Sequence, residues 1–136
     1  MKYAKVALMA VTGLLVSCED YYAEKDGEAD GSHPYISIAA PGQNTVFNQN
    51  QSIKLESILS DKDKVKKIEV QIVSLNKKGE DNETLLTFNK FPKKNPVVLD
   101  TAISTADLPS GDYLLILNGT DGRANMGTKE VNFSIK

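Results

Sequence analysis

Two short segments of this 136-residue chain carry oxygen donors that could serve a divalent cation: Asp61 and Asp63 in "SDKDK", and Asp121 with Asn125 in "DGRAN". Ca²⁺ takes six to eight oxygen ligands, so these side chains would supply only part of a shell. Lys62, Lys64 and Lys66 place ammonium charge beside the first pair, and Asp and Asn readily bond their own backbone two residues on. Turn formation is therefore the expected use of Asp61, Asp63, Asp121 and Asn125, with no metal and no cofactor assigned. Glycoside hydrolysis would need two carboxyl groups facing each other across a cleft. Glu56, Glu69 and Glu130 instead occupy the polar positions of alternating segments and read as solvated. The single histidine, His33, precedes the first such segment, where no scaffold would hold it against a serine and an acid. No residue is assigned as catalytic, and the chain is expected not to be an enzyme.

Cys18 is the only cysteine, so no intramolecular disulfide can form. It ends a recognisable leader. Met1, Lys2, Tyr3, Ala4 and Lys5 form a short cationic region, and the apolar run 6–16 has the length of a secretory signal, too short to span a bilayer comfortably. The run closes on Leu15-Val16-Ser17-Cys18, which resembles the lipobox of bacterial lipoproteins. The resemblance implies cleavage between Ser17 and Cys18, a diacylglycerol thioether on the Cys18 sulfur and acylation of the new amino terminus. Two or more acyl chains would hold a water-soluble domain stably at a bilayer, where one alone would not.

The chain then turns acidic. Glu19, Asp20, Glu24, Asp26, Glu28 and Asp30 are opposed only by Lys25, while the formal charge of the whole chain is −2. Such a segment cannot bury enough apolar area to offset its ordering, so residues 18–33 are expected to form a flexible tether with a reach on the order of 20 Å. An acidic run directly after the lipidated cysteine is similar to the surface-export signal of lipoproteins from Bacteroidota-type bacteria. That similarity implies an export role for Glu19 and Asp20 and display on the outer face of the outer membrane, the periplasmic face being the other placement. The chain lacks the dense basic surface of a nucleic-acid binder, and no nucleic-acid partner is expected.

The elements that must carry any site begin at Pro34. Residues 35–39, 52–59, 66–75, 84–91, 97–103, 113–119 and 128–135 alternate apolar with polar, and between them lie "PGQN", "NKKGEDNE", "PKKNP", "DLPSG" and "DGRANMG". Alternation with turn signals at short intervals predicts seven strands in a two-sheet antiparallel β-sandwich over 34–136, following a signal peptide at 1–17 and the tether at 18–33. The segment Leu108-Pro109-Ser110-Gly111-Asp112-Tyr113 resembles the approach to the sixth strand of fibronectin-III-like and bacterial Ig-like domains. The resemblance implies that Tyr113 is a structural corner tyrosine bonding back to the backbone, and that an Asp-Gly-x-x-Asn hairpin joins the last two strands. The disulfide and packed Trp of antibody domains are absent.

The expected role is a non-catalytic adhesion, scaffold or accessory binding module, anchored to the membrane through lipid at Cys18, with an envelope protein or glycan as partner. The alternative is a surface glycan-binding lipoprotein of a carbohydrate-uptake system. Tyr35, Phe47, Phe88, Phe91, Tyr113 and Phe133 mostly alternate as core residues should, with Phe91 expected to be exposed beside "PKKNP". The pairs Lys66-Lys67, Lys77-Lys78 and Lys93-Lys94 read as solvated faces and edge-strand protection.

Overall fold

A computed structural model describes residues 29–75 and 81–136 of the protein. The leader, Ser17, Cys18, Glu19 and Asp20 lie outside the described residues, as do Lys77 and Lys78. Eight strands follow in order: β1 (Tyr35–Ala40), β2 (Thr45–Phe47), β3 (Ile53–Ser60), β4 (Val65–Ser74), β5 (Glu83–Lys90), β6 (Val97–Ile103), β7 (Gly111–Asp121) and β8 (Met126–Ile135). They form two sheets, β1-β3-β6 and β2-β8-β7-β4-β5. This is an all-β, Ig-like sandwich, with β3 pairing β6 in one sheet while β4 pairs β7 in the other.

The strand count and the sense of one pairing differ from the sequence expectation. The eighth strand is β2, which runs parallel to β8, pairing Thr45, Val46 and Phe47 with Phe133, Ser134 and Ile135. Its cause lies just upstream. Pro41 has no N–H to continue the ladder that β1 makes with β3, so the chain leaves the first sheet there and joins the second. Backbone bonds from Asn44 N to Asn132 O at 2.7 Å and from Lys136 N to Phe47 O at 2.9 Å fix the new strand.

Alternation does the rest. On β3, Ile53, Leu55 and Leu59 point inward and are fully buried while Lys54 and Ile58 face out; on β4, Ile68, Val70 and Ile72 take the inner positions. Each such side chain contributes roughly 1.5–3 kcal/mol by leaving water. Among the described residues, the core is a single cluster between Ile36 and Ile135.

The two ends of the sandwich are closed differently. At one end β7 begins, and Tyr113, 1% exposed, stacks on Phe133 with centroids 5.3 Å apart, while Phe47 meets Phe133 edge-on at 5.8 Å. The Tyr113 hydroxyl donates to the Pro109 carbonyl, the corner bond that the "LPSGDY" resemblance implies. The register places the opposite end where β3, β5 and β7 finish and β1, β4, β6 and β8 start.

Candidate functional site

That opposite end gathers a dense polar network. Its β3–β4 turn forms because Asp61 accepts the Asp63 N–H at 2.8 Å through its own carboxylate, and the Lys64 N–H bonds Asp61 O at 3.2 Å. Lys64 is held at φ 62°, a left-handed conformation uncommon for a residue with a long side chain. The β7–β8 hairpin is built the same way. Asp121, 3% exposed, accepts the N–H groups of Arg123 and Asn125 on Oδ1 at 2.8 and 2.9 Å, and the Asn125 side-chain amide on Oδ2 at 2.9 Å.

Three contacts lock these pieces together. The Gly122 N–H reaches Asp63 O and Lys64 O at 3.3 and 3.1 Å, an approach that a side chain would block, since a Cβ on Gly122 would sit 2.8 Å from Asp63 O. Asn95, in the β5–β6 connection, donates to Asp61 O at 2.7 Å and accepts from Asp61 N at 3.2 Å. Pro34 lies over the cross-strand pair Gly119 and Gly127, where a Cβ on Gly119 would stand 2.9 Å from Leu59 Cδ2 and one on Gly127 would strike the Pro34 carbonyl.

Within this end, carboxylate oxygens of Asp30, Asp63 and Asp121 lie within 4.8 Å of one another. The sequence reading put Asp61 in the acidic set and Asp30 in the tether; the structure keeps Asp61 on its turn and brings in Asp30. Lys62 bonds Asp30 and also Asp63, the latter at 2.6 Å, and Arg123 Nε stands 3.1 Å from Asp63 and 3.9 Å from Asp30. The Asn125 side chain joins the lead-in to the hairpin, donating to Asp30 at 3.0 Å and accepting the Gly31 N–H at 3.2 Å. The Lys62 ammonium, helped by the Ser32 N–H, holds the Asp30 carboxyl down at about 2. Lys62 and then Arg123 also lower Asp63, and the two carboxylates raise Lys62. With a cation on Asp30 and Asp63, and with N–H donors on both oxygens of Asp121, the cluster acts as a clasp that fastens the lead-in to two loops.

Beside the clasp lies a region of different character. A cleft of about 270 Å³ opens between the β3–β4 turn and the β5–β6 connection, lined by Lys64, Val65, Lys66, Pro92, Lys93 and Lys94. On the far side of Lys93 and Lys94 is an open concavity of about 510 Å³, reaching Pro96, Val97 and Val98. Phe91 and Val98 are each 72% exposed.

The other predicted candidates are dispersed. Glu56 pairs with Lys54 on the outer face of the three-stranded sheet, while Glu69 bonds Lys67 and Gln71 on the outer face of the other sheet, where Glu130 is exposed opposite Ile116. His33 is exposed in the lead-in. Tyr35 and Phe91 are the exposed aromatic rings among the described residues, one on β1 and the other just past β5. No helix among the described residues is long and apolar enough to cross a membrane.

No protein-family model matches the chain, and no curated protein matches it. Among solved structures it is similar to murine CRIg, with 13% identity and a TM-score of 0.46 over 76% of this chain and 97% of that one. It is also similar to a β-glucosidase from Listeria innocua solved in complex with glucose, with 10% identity and a TM-score of 0.43 over 76% of this chain and 16% of the enzyme. Both likenesses are distant and assign no chemistry to any residue described above.

Proposed function

We propose that this chain is a lipid-anchored cell-envelope protein whose Ig-like sandwich is a non-catalytic adhesion, scaffold or accessory binding module. The observation that carries the reading is Leu15-Val16-Ser17-Cys18 at the close of an apolar run that follows a cationic start. Acyl chains at Cys18 supply the anchor. The acidic residues Glu19 and Asp20 favour the outer face of the outer membrane as the place of display. Loop ends of a rigid sandwich are where such domains carry their recognition surfaces, and the end that receives the lead-in is rich in charged side chains. An envelope protein or a glycan is the partner class.

Mass spectrometry of the protein recovered from membranes tests the anchor. The expected species begins at Cys18 and carries acyl mass, and Cys18→Ala is expected to abolish both the processing and the membrane retention. An unacylated amino-terminal Cys18, or a Cys18→Ala protein still processed and retained, overturns the reading. Protease shaving of intact cells tests the face of the membrane, with digestion expected for surface display.

A further inference from the structure

Cationic side chains from the turns at the lead-in end fall into two groups. Lys62 and Arg123 sit on Asp30 and Asp63. Lys64, Lys66, Lys93 and Lys94 line the neighbouring cleft and make no ion pair among the described residues. Two backbone irregularities fall at the first pair of these, Lys64 and Lys66. Lys64 takes its positive φ, and a register shift between Val65 and Lys67 leaves Lys66 out of the ladder with β7, as a bulge does when it turns a side chain away from the sheet. The second pair is delivered by the β5–β6 connection, which Asn95 pins to Asp61. Four ammonium groups lining one cleft suit an anion with several negative groups. The rim adds apolar surface, with Phe91 before the lysines and Val98 beyond them, both largely exposed.

We infer that this end of the sandwich is a contact surface for phosphate-bearing lipid headgroups, holding the domain with the β5–β6 connection against an anionic bilayer. Ammonium groups beside an exposed aromatic and aliphatic rim are the combination that interfacial segments use, charge meeting the headgroups and apolar atoms entering the boundary below them. The nearness of a bilayer rests on the lipid-anchored reading: Asp30, fastened at this same end, is only twelve residues from Cys18, an average span on the order of 20 Å for a flexible chain. Attachment at this end would raise the local concentration of lipid for lysines that make no ion pair among the described residues, so weak contacts would suffice to set the orientation.

The experiment uses residues 29–136, which contain the core found among the described residues and lack Cys18, so its outcome is independent of whether the anchor exists. Sedimentation is measured with vesicles of phosphatidylglycerol and phosphatidylcholine in equal parts, and with phosphatidylcholine alone. Binding is expected only to the anionic vesicles and is expected to weaken as salt is raised. The triple variant Lys66→Gln, Lys93→Gln, Lys94→Gln should bind roughly tenfold or more weakly, a loss on the scale of several surface ammonium groups. A control of equal charge change, Lys54→Gln, Lys129→Gln, Lys136→Gln, should stay within about twofold of the parent. No binding to anionic vesicles, or an equal loss in the two triple variants, overturns the inference. If inorganic phosphate alone shifts the amides of the cleft as strongly as the vesicles do, the site serves a free anion and the membrane contact is wrong. Thermal melts of both variants confirm that the fold is kept.

Discussion

The two ends of this sandwich are closed by different physics. At the Tyr113 end, three aromatic rings and one hydroxyl are enclosed, and closure draws on buried area and a single corner bond. At the lead-in end, the loops are joined by side-chain amides, carboxylates and two cations, most of them partly exposed. Buried apolar packing is strong and largely indifferent to salt and pH, whereas exposed ion pairs are weak and sensitive to both. The core runs between the two ends, one closed by buried rings and the other, among the described residues, by charged and amide side chains.

The largest effect that could break this contrast comes from the aromatic end. Tyr113→Ala removes a fully enclosed ring and should destabilise the domain by roughly 3–5 kcal/mol, while Tyr113→Phe should lose only the corner hydrogen bond, on the order of 1 kcal/mol. Denaturant melts of residues 29–136 read both, and a Tyr113→Ala protein as stable as its parent would remove the asymmetry. The next effect lies at the opposite end but is steric. Gly127→Ala sets a methyl group against the Pro34 carbonyl and should cost about 1–3 kcal/mol, in the range of overpacked cores. Hydrogen exchange should localise the loss to the start of β1, and protection unchanged there would mean that Pro34 is not seated on the glycine pair.

The smallest effect is electrostatic, and its sign is fixed. Asp30 and Asp63 have folded values below the ordinary 3.8, so the stability they add is present above that value and is lost as pH falls through the folded values, to about 2 for Asp30. Acid melts should therefore show a shallow extra decline between roughly pH 4 and 2, and Asp30→Asn should flatten part of it. A variant with the same acid profile as the parent would show that the clasp adds nothing measurable.

The aromatic end was legible because its determinants are local. Tyr113 bonds a carbonyl only four residues upstream, and two of the three rings, Tyr113 and Phe133, sit on the long alternating strands β7 and β8. The lead-in end was not. Asp30 sits in a run whose composition belongs to a solvated linker, and its partner Lys62 is 32 positions away. The lysine cleft requires the Asn95 to Asp61 bonds, which join positions 34 apart, and neither "KVKK" nor "PKKNP" shows by itself that they face one cavity. Strand β2 escaped notice because three residues are too short to display a period, and its place is set by β8 alone. The Asx turns at Asp61 and Asp121 were foreseeable from residue type, whereas the union of those turns through Gly122 was not.

The parallel pairing of β2 with β8 also gives the domain a preferred way to bear load. The lead-in leaves from one end and β8 finishes at the other, so a pull between the two termini runs along the strands and not across them. Under that geometry the bonds from Asn44, Gln49 and Lys136 are stretched side by side and must yield together, whereas bonds peeled from one edge give way singly. The three-residue strand that carries Phe47 into the core would thus also act as a shear lock, resisting a pull directed along the strands between the lead-in and the end of β8.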